Sequence, residues 1–267
     1  MVRRILLSSL FVLAAVGCEQ KEDHPGAAVI TCEGGKCVSP GPGGGGGGKD
    51  GGGDAGSDAS VDAPEGVTVT GSVVELTSDD FSTAQPYAAS ATIQLEGANG
   101  IPVEGPYTGT TFSVSNVAFG QGVWATVTPQ ASIILPTIQP TDTTVSPVEL
   151  AVVPAATIDL IYNLLSVPTE RTPKAAHVVI RFVDGKTGVP VSGVSVTHKT
   201  DVVAYDTGGS WSDTASGTGV EGTAVIANVA SVAVPNKQSF DYVAPGASGG
   251  VFLLVAQDSV TIATVPL

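Results

Sequence analysis

Positive charge is missing from a long stretch of this chain: from Gly51 to Glu170 there are thirteen acidic residues and no lysine, arginine or histidine. From Arg171 to Leu267 the balance is nearly even, with seven acidic residues against six lysines and arginines. The net charge of −14 therefore sits almost wholly before Arg171, and such a surface repels phosphodiester backbones and anionic lipid heads. Nucleic acid is excluded as a partner. Histidine is scarce too: His24, His177 and His198 are too few for a histidine-rich metal centre. The acids Glu75, Asp79, Asp80, Glu96, Glu104, Asp142, Glu149 and Asp159 are scattered, and no Asp-x-Asp-x-Asp loop gathers them into a calcium shell. They read as solvating charges. His177 or His198 near Asp201 has no nucleophile-elbow context, and Asp79-Asp80 has no cue for a second carboxylate across a cleft. We expect no catalytic residue, no metal and no cofactor. Long apolar runs are also absent, the longest being Ile5 to Val16, too short to cross a bilayer comfortably.

Cysteine occurs only as Cys18, Cys32 and Cys37. Arg3 and Arg4 form a basic start, Ile5 to Val16 an apolar centre, and the small residues Ala15 and Gly17 lie just before Cys18. This arrangement resembles a bacterial lipoprotein signal peptide, with Ala15 where that pattern prefers leucine. The resemblance implies cleavage of residues 1–17, diacylglycerol on the Cys18 thiol, and enough acyl chains for stable anchoring. Glu19 stands where inner-membrane retention is associated with aspartate, which implies the outer membrane, facing the periplasm or the exterior. An ordinary secretory leader and a retained apolar anchor are the alternatives. Residues 18–64 then read as a disordered tether, because Gly41 to Gly56 is mostly glycine, with no side chain to bury and the largest entropy loss on ordering. It is not a phosphate loop, since neither a Gly-Lys-Ser/Thr ending nor a helix pattern follows. Cys32 and Cys37, separated by Glu33-Gly34-Gly35-Lys36, are a candidate local disulfide in an oxidising compartment. With His24 they would make an unconvincing zinc shell.

The remainder alternates with period two. Val67, Val69, Gly71 and Val73, then Ala91, Ile93 and Leu95, then Phe112 and Val114, then Val123, Ala125 and Val127 read as strands punctuated by Asn99-Gly100 and Gly120-Gln121-Gly122. Ala156 to Val167, bracketed by Pro154 and Pro168, reads as a last strand, a helical turn being the alternative. A second half opens at Ala175, with His177, Val179 and Arg181 on one strand face and Val178, Ile180 and Phe182 on the other. Asp184 to Pro190 reads as a turn, Asp206 to Gly222 as a long loop, and His198 as a surface residue. Thr111 to Val117 echoes Thr223 to Val229 at a shift of 112, which suggests duplication, with Asn116 and Asn228 bonding backbone at strand ends.

The stretch Val179 to Val196, with Val183-Asp184-Gly185 and Thr187-Gly188-Val189-Pro190-Val191-Ser192-Gly193-Val194, resembles carboxypeptidase regulatory-like domains of the transthyretin-like superfamily. Gly222 to Val229 extends the likeness; the first half, through Gly71-Ser72-Val73 and Thr111 to Val117, fits it more loosely. The resemblance implies an all-β fold of two Greek-key β-sandwich domains, 65–170 and 171–267, and carries no shared catalytic set. Related adhesin sandwiches hold Lys–Asn crosslinks, but the first half has no lysine and Lys186 and Lys199 lie in or beside turns. The expected function is a noncatalytic, lipid-anchored envelope module that acts as spacer or protein-contact platform, its partners the membrane and an envelope protein. The alternative is a glycan-binding lipoprotein, with Trp211 in Gly208-Gly209-Ser210-Trp211 the best stacking candidate among Tyr87, Tyr107, Trp124 and Trp211.

Overall fold

The computed structural model describes residues 31–33, 36–38, 65–166, 169–199, 202–231 and 233–267. Two short strands, β1 (Thr31–Glu33) and β2 (Lys36–Val38), pair antiparallel with Cys32 opposite Cys37. They belong to a unit of their own and are treated separately from the body that follows.

The first half of the body contains β3 (Val67–Leu76), β4 (Ala84–Pro86), β5 (Ser90–Leu95), β6 (Val103–Thr108), β7 (Phe112–Val117), β8 (Val123–Pro129), β9 (Ile134–Leu135), β10 (Thr137–Thr141) and β11 (Val148–Pro154). The order β10-β8-β5-β6-β7-β3-β11 is hydrogen-bonded throughout, and β11 runs parallel to β3. Alternate residues turn inward, as the period-two pattern requires. Val69, Ile93, Leu95, Tyr107, Val114, Ala125 and Leu150 meet in one core.

The second half contains β12 (Ala175–Val183), β13 (Ser195–Thr197), β14 (Val202–Asp206), β15 (Trp211–Ser212), β16 (Thr223–Ala230), β17 (Asn236–Ala244), β18 (Ala247–Val255) and β19 (Val260–Pro266). A sheet β15-β14-β16-β12-β19 packs on the three-stranded sheet β13-β17-β18. Ile180, Phe182, Ile226, Phe240 and Val255 fill the space between them. The two halves are joined by β10, which pairs parallel with β19 at Thr137 opposite Val260.

One element departs from expectation. Ala155–Asn163 is an α-helix, α1, not a strand. Ile158, Ile161, Tyr162 and Leu165 recur at helical spacing on one face, and all four are buried. They cover the outer face of the second-half sheet, against Val179, Ala204, Val225 and Ala227. That is why β12 and β16 are apolar on both faces, with His177 and Val179 beneath the helix and Val178 and Ile180 in the sandwich.

The repeated segment recurs as a repeated distortion. β3 skips register opposite β7 between Val67 and Val69, and β12 skips opposite β16 between Ala176 and Val178. Each skip falls at the echoed asparagine, Asn116 with φ 61° and Asn228 with φ 54°. This left-handed conformation is one that asparagine tolerates better than most side chains, and each makes a β-bulge. Asn228 also holds the connector from α1: its Oδ1 accepts from Thr172 N at 2.8 Å and its Nδ2 donates to Glu170 O at 2.9 Å.

Candidate functional site

Cys18 lies outside the described residues. The other sequence-nominated groups are dispersed, and several are interior. Trp211 is 4% exposed, its ring edge-on to Phe81 at 6.2 Å, so it offers no face to a sugar. The glycine-rich Gly208-Gly209 approach suggested a loop, but Trp211 pairs with Asp206 as the start of β15 and closes the core under α1. Tyr87 and Tyr107 are buried as well, and Trp124 is half-buried against the core of the second half. His198 is likewise buried, stacked on Phe240 with centroids 4.4 Å apart, because β17 comes back from forty residues later to cover it.

His177 sits beneath α1, its Nδ1 2.6 Å from the Tyr162 hydroxyl. Burial is the main force holding its pKa down to about 4, aided by the Arg171 charge and opposed by Asp159 and Asp258. Arg171 is itself paired with Asp159 at 2.6 Å. The site is a packed joint between helix and sheet with no solvent-facing nucleophile.

Asp206 is a buried acid. Its two oxygens accept the N–H groups of Gly219, Glu221 and Thr223 at 3.1, 3.0 and 2.7 Å. A carboxylate satisfied by backbone donors anchors the return of the long 207–222 loop to its own base, which is a structural role. Asp184 does similar work in the exposed turn before Pro190. Its Oδ1 accepts from the hydroxyl and N–H of Thr187 and from Lys186 N, and these bonds hold its carboxyl below the ordinary carboxylate range.

Two open grooves remain. One, of about 650 Å³, is walled by threonine, serine and proline side chains around Gly71 and Phe112 and contains no titratable group. The other, of about 590 Å³, runs between Lys199 and the start of β17 and carries Asn236, Lys237, Gln238 and Asp241. Among the described residues, Asn236 Oδ1 and Gln238 Oε1 are buried carbonyl acceptors with no hydrogen-bond partner, while Gln238 Nε2 donates to Ala230 O at 2.7 Å. Both oxygens are sealed from solvent, so the polar groups that a ligand in the groove can reach are those of Lys199, Lys237 and Asp241. The sequence signal was present but weak: both amides occupy the inward positions of a strand whose later inward residues are Phe240 and Tyr242. Among the described residues, no three His, Cys, Asp or Glu side chains converge as a metal shell.

No family model matches the chain. No curated protein matches it either. Among solved structures it is similar to bacterial pilin subunits, which are β-rich. A streptococcal ancillary pilin shares 9% identity over 76% of this chain and 68% of its own, at TM-score 0.22. The group B streptococcus pilus 2b backbone protein shares 12% over 75% and 84%, also at 0.22. The major pilin subunit of Bacillus cereus shares 10% over 76% and 70%, at 0.19. Likeness at this level assigns no function.

Proposed function

We propose that this chain is a noncatalytic envelope module, anchored to the outer membrane through lipid on Cys18 and serving as a spacer or protein-contact platform. The observation that carries this reading is the leader: Arg3-Arg4, the apolar run to Val16 and Gly17-Cys18, followed by a glycine run and then a β body. Two sandwich repeats, 65–170 and 171–267, with carboxypeptidase regulatory-like kinship clearest in the second, belong to the same proposal. The matching bulges at Asn116 and Asn228 support duplication.

We also assign Cys32 and Cys37 as a disulfide. They are register partners across β1 and β2, and directly opposed residues of an antiparallel pair lie about 4.5–5.5 Å apart at Cα, inside the range a disulfide spans. Globomycin tests the anchor: cells should accumulate an uncleaved precursor, and Cys18→Ser should release the protein from membranes with its β-sheet circular dichroism intact. Normal maturation under globomycin, or a wholly soluble wild-type product, rejects the reading.

Glycan binding is a second reading, for which the open groove walled by Lys199, Lys237 and Asp241 offers polar side chains to sugar hydroxyls. A glycan array without saturable binding rejects it.

A further inference from the structure

Three loops at one end of the first sandwich are tied together and tipped with large apolar residues. β5 and β7 finish at this end, and β10, antiparallel to β8, finishes there too. Their exits are the 96–102, 118–122 and 142–147 loops. Ala118 N donates to Glu96 O at 2.8 Å and Ala98 N to Asn116 O at 3.1 Å, which join the first two. Thr143, itself buried, joins the second and third: its N–H donates to Gly120 O at 2.9 Å, its hydroxyl donates to Ala118 O at 2.7 Å, and that hydroxyl accepts from Gly120 N at 2.9 Å. The 96–102 loop is also fixed internally, by Gly100 N to Gly97 O at 2.9 Å and Ile101 N to Asn99 Oδ1 at 3.0 Å. From this framework Ile101, Phe119 and Val145 project, 63%, 65% and 57% exposed. Apolar side chains gathered at one end by a satisfied hydrogen-bond network are a contact surface, unlike apolar residues scattered singly over a fold.

The point at which the body begins bears on what the surface meets. β3 begins at the same end, Val67 pairing with Val117, so the chain that reaches back to Cys18 leaves the body beside these tips. Charge narrows the partner further. Glu96 is exposed nearby, and no lysine, arginine or histidine occurs from 51 to 170, so an anionic surface is repelled and an electrically neutral one is not. We propose that Ile101, Phe119 and Val145 form a foot that seats the body on a lipid surface of neutral headgroups. Three side chains hold a body weakly on their own; an anchor on the same chain supplies the high local concentration that makes such weak contact count. The proposal rests on the lipid-anchor reading and goes beyond it by giving the anchored body an orientation.

The test uses the full lipidated chain in vesicles of phosphatidylethanolamine and phosphatidylcholine, with and without shallow brominated phosphatidylcholine. Phe119→Trp adds a reporter at the foot; Ile133→Trp adds one at the far end of the same sandwich, where Ile133 is 72% exposed. Val145→Trp repeats the measurement should Phe119→Trp fold poorly. After subtraction of wild-type emission from Trp124 and Trp211, the foot reporter should lose at least about half its signal to bromolipid and the Ile133 reporter almost none. Replacing a third of the lipid with phosphatidylglycerol should weaken the quenching. Protein that sediments with vesicles but shows no quenching at position 119 or 145, or equal quenching at 133, overturns the foot and leaves the anchor standing. Protein that does not sediment at all overturns both.

Discussion

At the scale of single residues, the most consequential group is a neutral histidine. His177 is sealed under α1 against Tyr162, its pKa lowered to about 4 chiefly by burial, whereas in an unfolded chain it titrates near the ordinary histidine value of about 6.5. Between those values the unfolded state binds more protons than the folded one. Stability contributed by the neutral ring is therefore complete above about pH 6.5 and is lost as pH falls toward 4. Urea unfolding of the wild type at pH 7.5 and 4.5 should differ by about 2–3 kcal/mol more than unfolding of His177→Gln. Carboxylates titrate in both proteins, so the difference between the two slopes isolates the histidine. Equal slopes would mean that His177 is charged or solvated in the folded state. Its burial was hard to foresee, because the residue that hydrogen-bonds it lies on an element that reads more naturally as a strand.

That element, α1, shows how far local pattern reaches. Strands were legible because valine and threonine alternate over runs such as Val67 to Val73, and the Asp184 turn was legible because Asp, Lys, Thr and Gly each fill a required place in it. The stretch after Pro154 carries both periods at once: Thr157, Ile158 and Ile161 are β-branched, yet 158, 161, 162 and 165 form a helical stripe. The tertiary context decides, since the outer face of β12 and β16 needs a cover and a helix supplies Ile158, Ile161 and Tyr162 from one surface, with Leu165 just past its end. Trp211 and His198 were misread for a related reason. Their burial depends on partners distant in sequence, Phe81 and Phe240. The orphan amides at Asn236 and Gln238 went unnoticed because polar residues on a strand are ordinarily its wet face. If α1 is a structural cover, truncating its buried face should be expensive while its outer face should tolerate change. Ile161→Ala should cost about 2–5 kcal/mol, whereas Leu160→Ala, at a position 48% exposed, should cost below about 1 kcal/mol. Chemical denaturation midpoints at constant m-value measure both; similar losses would show that α1 is not seated as described.

At the scale of the whole body, the sequence repeat and the packing pull in different directions. The bulges at Asn116 and Asn228 echo one another, but one β-ladder crosses from β10 to β19, and a third core draws Leu135, Val153 and Ile158 from one half and Val179, Val225 and Val260 from the other. The connector between them is also held: Arg171 pairs with Asp159, Asn228 grips both Glu170 and Thr172, and Lys174 N donates to Asp258 Oδ1 at 2.8 Å. Cutting the chain there would expose the apolar face under α1 without supplying a new partner for it, so two sandwich repeats should behave as one cooperative body. Trypsin supplies the test, because Lys21, Lys36 and Lys49 precede the body and Arg171 and Lys174 lie within it. Digestion should remove the N-terminal segment first, leaving a fragment that begins at Asp50 and persists, since proteolysis requires local opening and the connector opens only with the cores it joins. Thermal unfolding of that fragment should give a single transition, coincident by sheet circular dichroism and by fluorescence of Trp124 and Trp211, which lie in different halves. Early cleavage after Arg171 or Lys174 that yields two folded, separable products on size exclusion would show that the β10–β19 joint contributes little, and that the repeats are independent domains placed side by side.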